Sequence, residues 1–285
     1  MPPSRDVQSL YEIVDKKESR KPLEETLDAK SLLELIKNEA LAFRKPGSSK
    51  LTELVGCFRR CQELAASGSE QLKGSVLQFM IIVDECFFFK TLTREVRRNK
   101  GWQHLVNLKI EDNPSSKGDG HDRRGIWTPY DRTVTLWLKG VYRGENSSYS
   151  YPIESVLHTL IHESIHAFIW AFENDDHPKH KERVGKDGGH GSIFCEMLRV
   201  IGERVEELTN SREWKEARYT DPYGPTEKRP NPGYSPGRGP GGPPGFPPHG
   251  FPPHGFPPGG FPPGGPPPGG FPPHGFPPDG RSFHR

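Results

Sequence analysis

Apolar residues recur at helical spacing in the first part of the chain, after a leader that shows no such period. Residues 1–20 are polar and charged, and we expect them to be disordered. Leucine and isoleucine recur every three or four residues over 21–45, and one face of the segment 51–66 is apolar. The pattern predicts a disordered leader, 1–20, followed by a helical extension over 21–70.

The middle of the chain combines a helical pattern with strand-like patterns. Apolar residues at helical intervals predict a helix over 75–93, although its dense run of isoleucine, valine and phenylalanine leaves a buried strand as the alternative. Valine, threonine and tryptophan then favour three short strands at 105–110, 125–128 and 133–138. The residues 129–131 between the last two strands predict a hairpin turn.

Two further helices are expected before the chain becomes rich in proline. Pro152 suits the first turn of a long helix over 152–174, because its fixed φ is close to the helical value. Ser192 is a candidate N-cap for a final helix with an apolar stripe. The order of helix, small sheet, helix, loop and helix predicts an α+β fold. We expect a small antiparallel sheet packed against the helix over 152–174, within a domain spanning 71–218.

The C-terminal part of the sequence, 219–285, has a repeat that does not favour a packed structure. Seven pentads of the form G-F-P-P-(H/G/D) occupy 245–279, the fifth of them reading G-P-P-P-G. A period of five excludes a collagen triple helix, and the near absence of aliphatic residues predicts a disordered, extended tail. A flexible spacer is one role for this tail, and a ligand for a partner that binds proline-rich motifs is another.

The charge balance argues against a broad nucleic-acid surface. The chain has 39 basic and 37 acidic residues, a formal net charge of +2 at pH 7. Small basic clusters occur at Arg94, Arg97, Arg98 and Lys100 and at Arg123 and Arg124. They permit local contacts with the phosphates of DNA, but solvated loops are the interpretation we favour.

Cysteine content and hydropathy bear on the compartment. The four cysteines are too few and too scattered for a disulfide framework, and no apolar signal segment follows Met1. No apolar run reaches the roughly 18 to 20 residues that are needed to span a bilayer. We therefore expect no membrane association, and an intracellular protein in a reducing compartment, either the nucleus or the cytoplasm.

The strongest chemical signal is the string from His162 to His166, which reads H-E-S-I-H and is an H-E-x-x-H motif. Residues four apart lie on one face of a helix, so both imidazoles can reach one zinc ion. Glu163 can take a proton from zinc-bound water and return it to the leaving amine. Burying these polar side chains in an apolar helix is costly unless a metal pairs them. A core helix with hydrogen-bonded histidines is the alternative.

A catalytic zinc site needs a third protein ligand and keeps one position for water. We assign His190 to this role, because Gly188 and Gly189 permit a tight backbone approach and a predicted helix starts directly after it. Four further candidates lie nearer in sequence, in a highly charged loop: Glu173, Asp175, His177 and His180. We expect His158, one helical turn before His162, beside the ligands rather than among them.

On these residues the chain resembles the SprT-like family of zinc metallopeptidases, which includes the DNA–protein crosslink protease Spartan. The resemblance covers about residues 76–210 and rests on CFFFKTL at 86–92, LIHESIHAFI at 160–169 and GHGSIF at 189–194. It implies a zincin-like fold in which Glu163 is the catalytic residue. The zinc ligands that it implies are His162, His166 and His190. No cysteine-rich zinc ribbon follows the domain.

Together these signals predict a zinc-dependent endopeptidase of SprT-like type that hydrolyses protein substrates. Cleavage of proteins associated with DNA is a further implication of the resemblance. The alternative is a catalytically inactive scaffold that uses its proline-rich tail to recruit partners. Glu163 argues against that alternative, because metal binding alone does not require it. A zinc hydrolase acting on a non-peptide bond is a third interpretation.

Overall fold

A computed structural model of the chain describes residues 5–18, 27–98, 101–112, 124–141, 148–173 and 189–221. All of these residues belong to one structural unit, Met1–Pro232, and the second unit, Gly233–Arg285, contains no described residue. The predicted disordered tail therefore lies outside the described residues except for 219–221, and these three are folded. The prediction of disorder is wrong for these three residues, because Tyr219 and Thr220 end the last described helix and Asp221 directly follows it.

The described residues form eight helices: α1 Arg5–Glu18, α2 Ala29–Glu39, α3 Leu41–Arg44, α4 Ser49–Ala66, α5 Leu72–Phe87, α6 Ile153–Phe172, α7 Ser192–Thr209 and α8 Arg212–Thr220. The side chains of Asp28, Ser48 and Ser211 cap α2, α4 and α8 by accepting hydrogen bonds from backbone N–H groups of the first turn. The helix predicted over 21–45 has two described parts, because extended backbone at Ala40 (ψ 141°) separates α2 from α3.

The N-terminal leader differs from the prediction of disorder, since α1 occupies most of it. Val7, Leu10 and Ile13 recur every three residues and are buried, which gives the helix one apolar face. The hydroxyl of Tyr11 donates a hydrogen bond to the carbonyl oxygen of Phe89 at 2.7 Å. Tertiary packing of a narrow apolar stripe thus stabilises a helix whose other residues are mostly polar.

The helix predicted over 75–93 is confirmed as α5 up to Phe87 and is wrong for 88–93, and the alternative of a buried strand is excluded for 75–87. The helix ends before Phe89 and Lys90, which adopt the left-handed region with φ of 62° and 61°. The buried carboxylate of Asp84 holds this turn by accepting hydrogen bonds from the backbone N–H groups of the next residues. These donors are Thr91, Leu92 and Thr93.

Seven short strands form three small sheets in the described residues: β1 Glu95–Arg98, β2 Gly101–His104, β3 Asn107–Glu111, β4 Gly125–Thr128, β5 Thr133–Trp137, β6 Lys139–Val141 and β7 Ser148–Ser150. The predicted hairpin is confirmed, because β4 and β5 pair antiparallel. The prediction of an antiparallel sheet is wrong for β3, which pairs parallel with β5. Strand β5 lies between β3 and β4, and β4 runs opposite to both of the other strands.

Helix α6 is the centre of the described unit and packs against β4 and β5 on one side and against α5, α7 and α8 on others. All of its residues are buried except Thr159, His166 and Trp170. The α+β class is therefore confirmed, with α6 matching the helix predicted over 152–174. None of the described helices is long and apolar enough to cross a membrane.

Candidate metal centre

Helix α6 places two imidazoles on one face because His162 and His166 are four residues apart. His162 is 8 % exposed, whereas His166 is only half-buried. The apolar residues around them, such as Ile161 and Ile165, are fully buried. The helix thus holds its histidines at the edge of the core, where one side of the pair can be reached from solvent.

His190 approaches this pair from the start of α7. Gly189, directly before it, has a φ of 97°, a conformation that residues with a Cβ rarely adopt. The Nε2 atom of His190 lies 2.9 Å from Nε2 of His162 and 3.0 Å from Nε2 of His166. Gly191, rather than the predicted Ser192, is the residue that precedes α7 as its N-cap.

The donor set of these three histidines fits a metal ion. Their ring nitrogens all lie within 4.8 Å of one another. A tetrahedral ion with bonds of about 2.0 to 2.1 Å requires ligand nitrogens about 3.3 Å apart. The distances from Nε2 of His190 to Nε2 of His162 and of His166 are within a few tenths of an ångström of this value. Three nitrogens that face one point cannot satisfy one another by hydrogen bonds alone, because neutral imidazole has one donor and one acceptor. Imidazole ligands suit zinc and also copper, iron and nickel.

Phe194, on the first turn of α7, packs against all three imidazole rings. Its ring is stacked on His166 with centroids 4.3 Å apart and an interplanar angle of 26°. Its centroid also lies 4.8 Å from those of His162 and His190. One fully buried aromatic ring therefore restricts the orientation of all three imidazoles.

Glu163 directly follows His162 on α6 and is 8 % exposed. Its Oε2 atom accepts a hydrogen bond from the backbone N–H of Trp127 at 2.8 Å. Trp127 belongs to β4, so the contact between α6 and the sheet fixes the carboxylate. Sequence reasoning did not find this partner, because a backbone N–H leaves no signal in the residue type.

A second carboxylate, which contacts the cluster through His162, was also missed. Asp221 directly follows α8, and its Oδ2 atom lies 3.2 Å from Nδ1 of His162 and 3.3 Å from Nδ1 of His158. His158 is buried and points at Asp221, which agrees with the expectation that it lies beside the ligands. A capped helix over 212–220 with apolar Trp214 is the signal that could have extended the predicted domain beyond 218.

The protonation of these groups follows from burial and their neighbours. Burial, with the nearby His162 and His190, lowers the pKa of His166 to about 3. Burial also lowers the pKa of His158, although Asp221 opposes this shift. Burial alone would raise the pKa of Asp221, but hydrogen bonds from His158 and His162 outweigh it and hold that pKa well below its ordinary value. Asp221 is therefore ionised and His166 is neutral, the form that binds metal.

The structure brings together the three histidines that the sequence named, and their metal binding stays a prediction. Glu173, one of the residues considered as third ligand, is instead buried at the end of α6, where it forms a β-bridge with Leu27. The remaining candidate ligands lie outside the described residues: Asp175, His177 and His180. Comparisons with protein-family models, curated proteins and solved structures give no match.

Proposed function

We propose that the chain is a zinc-dependent endopeptidase of SprT-like type, with a zincin-like active site, that hydrolyses peptide bonds in protein substrates. The observation that carries the proposal is the convergence of three imidazole Nε2 atoms, two of which belong to the helix that also carries a buried glutamate. The residues are His162, His166, His190 and Glu163. Apolar side chains would fill the same space without the cost of removing polar groups from water, so packing does not account for this set.

Zinc is the metal that we propose, because three protein ligands and one remaining position form the ligand set of catalytic zinc sites. When bound, zinc acts as a Lewis acid that lowers the pKa of a water molecule to about 7 and polarises a carbonyl group. The side chains of His166 and His190 are half-buried, so a substrate can approach the cluster from their side.

Glu163 is the general base in this proposal. The N–H of Trp127 fixes one oxygen of its carboxylate, which sets the direction of the side chain. The carboxylate accepts the proton of the attacking water and delivers it to the leaving amine nitrogen. An inactive scaffold would need only the histidines, and the buried position of Glu163 next to them favours catalysis instead.

Cleavage of proteins near DNA is an extension of the proposal, and two of the basic residues bear on it. The guanidinium of Arg94 lies over the ring of Tyr11 at 4.7 Å, and that of Arg124 lies over Tyr151 at 5.6 Å. A guanidinium group stacked on an aromatic ring keeps its positive charge. We therefore include DNA in the test of function rather than treat it as a separate activity.

The experiment combines metal analysis with proteolysis by the full chain. We expect about one zinc per chain, cleavage of an unfolded protein such as casein or of histones, loss of cleavage on chelation, and recovery with one equivalent of zinc. Assays with and without single-stranded DNA test the extension. Zinc-loaded protein that cleaves an ester but no protein would favour the non-peptide hydrolase, and zinc-loaded protein that cleaves neither would favour the scaffold.

A further inference from the structure

Asp221 links two histidines that lie one turn apart on α6. A single carboxylate oxygen, Oδ2, is 3.2 Å from Nδ1 of His162 and 3.3 Å from Nδ1 of His158. The side chains of Asp221 and His162 are both 11 % exposed, and that of His158 is 4 % exposed. The contact with His162 joins residues that are 59 positions apart in sequence. On the His162 ring this contact is made by Nδ1, whereas the contact with His190 is made by Nε2.

The chemistry of this contact determines which ring nitrogen of His162 carries the proton. An ionised carboxylate only accepts hydrogen bonds, so Nδ1 of each histidine must donate. In neutral His162 the proton is then on Nδ1, and the lone pair of Nε2 points toward His190 and His166. A carboxylate that holds a metal-binding imidazole in this tautomer also raises the basicity of the imidazole.

Helix α8 holds Asp221 in place through a buried anchor. Trp214 is fully buried, and its indole N–H donates a hydrogen bond to the carbonyl oxygen of Gly202 on α7 at 3.0 Å. Its ring meets that of His158 edge-on, with centroids 5.4 Å apart. One turn further along, buried Arg218 pairs with Glu206 on α7. The helix is therefore fixed on both α6 and α7 just before Asp221.

We infer that Asp221 is a positioning residue of the metal centre, which orients His162 for metal binding and makes the last described helix, α8, part of the site. This inference rests on the proposed zinc site, because its effect is on metal affinity. Loss of the carboxylate lets His162 adopt the other tautomer or rotate. Zinc affinity should then fall by about 10-fold to 100-fold.

The first measurement is the zinc dissociation constant of the full chain, obtained by competition with a chelator. We compare Asp221→Ala and Asp221→Asn with wild type, and use Asp112→Ala as the matched control, because Asp112 is exposed and paired with Lys73. We expect about 10-fold to 100-fold weaker binding for Asp221→Ala, a smaller loss for Asp221→Asn, whose amide oxygen still accepts a hydrogen bond, and no change for the control. An Asp221→Ala constant within about twofold of wild type would overturn the inference.

A general loss of structure is separated from loss of the carboxylate by a second variant, Asp84→Asn. It removes a buried hydrogen-bond acceptor at the end of α5 and leaves α8 and Asp221 intact. We expect this variant to lower the melting temperature of the metal-free chain while zinc affinity stays near wild type. If Asp84→Asn and Asp221→Ala weaken zinc binding equally for an equal loss of melting temperature, the effect of Asp221 is only one of general stability and the inference is wrong.

The tautomer of His162 gives a readout that needs no metal. Imidazole ¹⁵N chemical shifts of the metal-free full chain should show the proton on Nδ1 in wild type and in Asp221→Asn. In Asp221→Ala we expect a shift toward protonation of Nε2. A wild-type His162 protonated on Nε2 would refute the role of Asp221 even if zinc binds. If wild type binds no zinc, the zinc-site proposal fails, and the tautomer still decides whether Asp221 orients His162.

Discussion

Replacing Glu163 by glutamine separates proton transfer from metal binding. The two side chains have the same shape, and the amide oxygen of glutamine can accept the hydrogen bond that Trp127 N–H now donates to Oε2 at 2.8 Å. That arrangement places the NH₂ group where the second carboxylate oxygen lies. An NH₂ group cannot accept a proton from water, so Glu163→Gln loses the base while keeping the fold and the three histidines.

Glu163→Gln should affect the catalytic rate much more than the free energy of unfolding. Loss of a general base lowers the rate by about 10² to 10⁴, which corresponds to roughly 3 to 5 kcal/mol of activation free energy. The hydrogen bond from Trp127 persists with a neutral acceptor in place of a charged one, so the free energy of unfolding should fall by only about 1 kcal/mol. Peptide hydrolysis should therefore be lost in a protein that remains folded and zinc-loaded.

The assay measures kcat for a quenched-fluorescence peptide at equal zinc occupancy of each variant. Glu154→Gln is the matched control, because Glu154 is a buried glutamate on the same helix whose Oε1 accepts a hydrogen bond from Gln62 Nε2 at 2.7 Å, outside the histidine cluster. We expect the control to keep nearly full activity. Near wild-type turnover by zinc-loaded Glu163→Gln would show that Glu163 is not the base, and would refute the proposed roles at this site.

Three further predictions follow from the same contacts. His190→Ala should lower zinc affinity sharply and abolish hydrolysis, whereas His177→Ala combined with His180→Ala should leave both nearly intact; zinc titrations showing the reverse would move the third ligand into the segment 174–188. Asp84→Asn should lower the free energy of unfolding by about 2 to 4 kcal/mol, because both carboxylate oxygens of Asp84 accept hydrogen bonds and an amide replaces one of these acceptors by a donor. Urea denaturation curves of variant and wild type with the same midpoint and the same slope would contradict this prediction. A chain that stops after Pro232 should have the zinc content and the melting temperature of the full chain. A chain that stops at Tyr219 should bind zinc more weakly, because it lacks Asp221. Calorimetry and zinc analysis of the two truncated chains test these two expectations.

The features that were predictable from sequence are mostly local. The spacing of His162 and His166 places them on one helix face, and the apolar residues of α6 indicate that this face is near the core. Gly189 marks the turn that brings His190 back, because its φ of 97° suits glycine. Each of these signals lies within a few residues of the side chain it positions, so a linear pattern is enough to read it.

The features that were missed depend on contacts between distant parts of the chain. Strand β3 pairs parallel with β5, and no residue type in either strand specifies the direction of a neighbour. Among the described side chains of helix α1, 7–13, the buried apolar residues are Val7, Leu10 and Ile13, too short a pattern to predict a helix from the sequence. Asp221 reaches His162 because α8 packs on α6 and α7. The sequence over 212–220 indicates a helix there, but it does not indicate on which helices α8 packs.

The central claim is that His162, His166 and His190 together hold a zinc ion, and zinc K-edge absorption spectroscopy of the zinc-loaded full chain tests it most directly. The account predicts three imidazole nitrogens at about 2.0 to 2.1 Å, one further light donor and no sulfur. The imidazole scattering should decrease in His166→Ala at reduced zinc occupancy. A spectrum dominated by sulfur at about 2.3 Å would place the metal at cysteines such as Cys57 and Cys61, and would contradict the account.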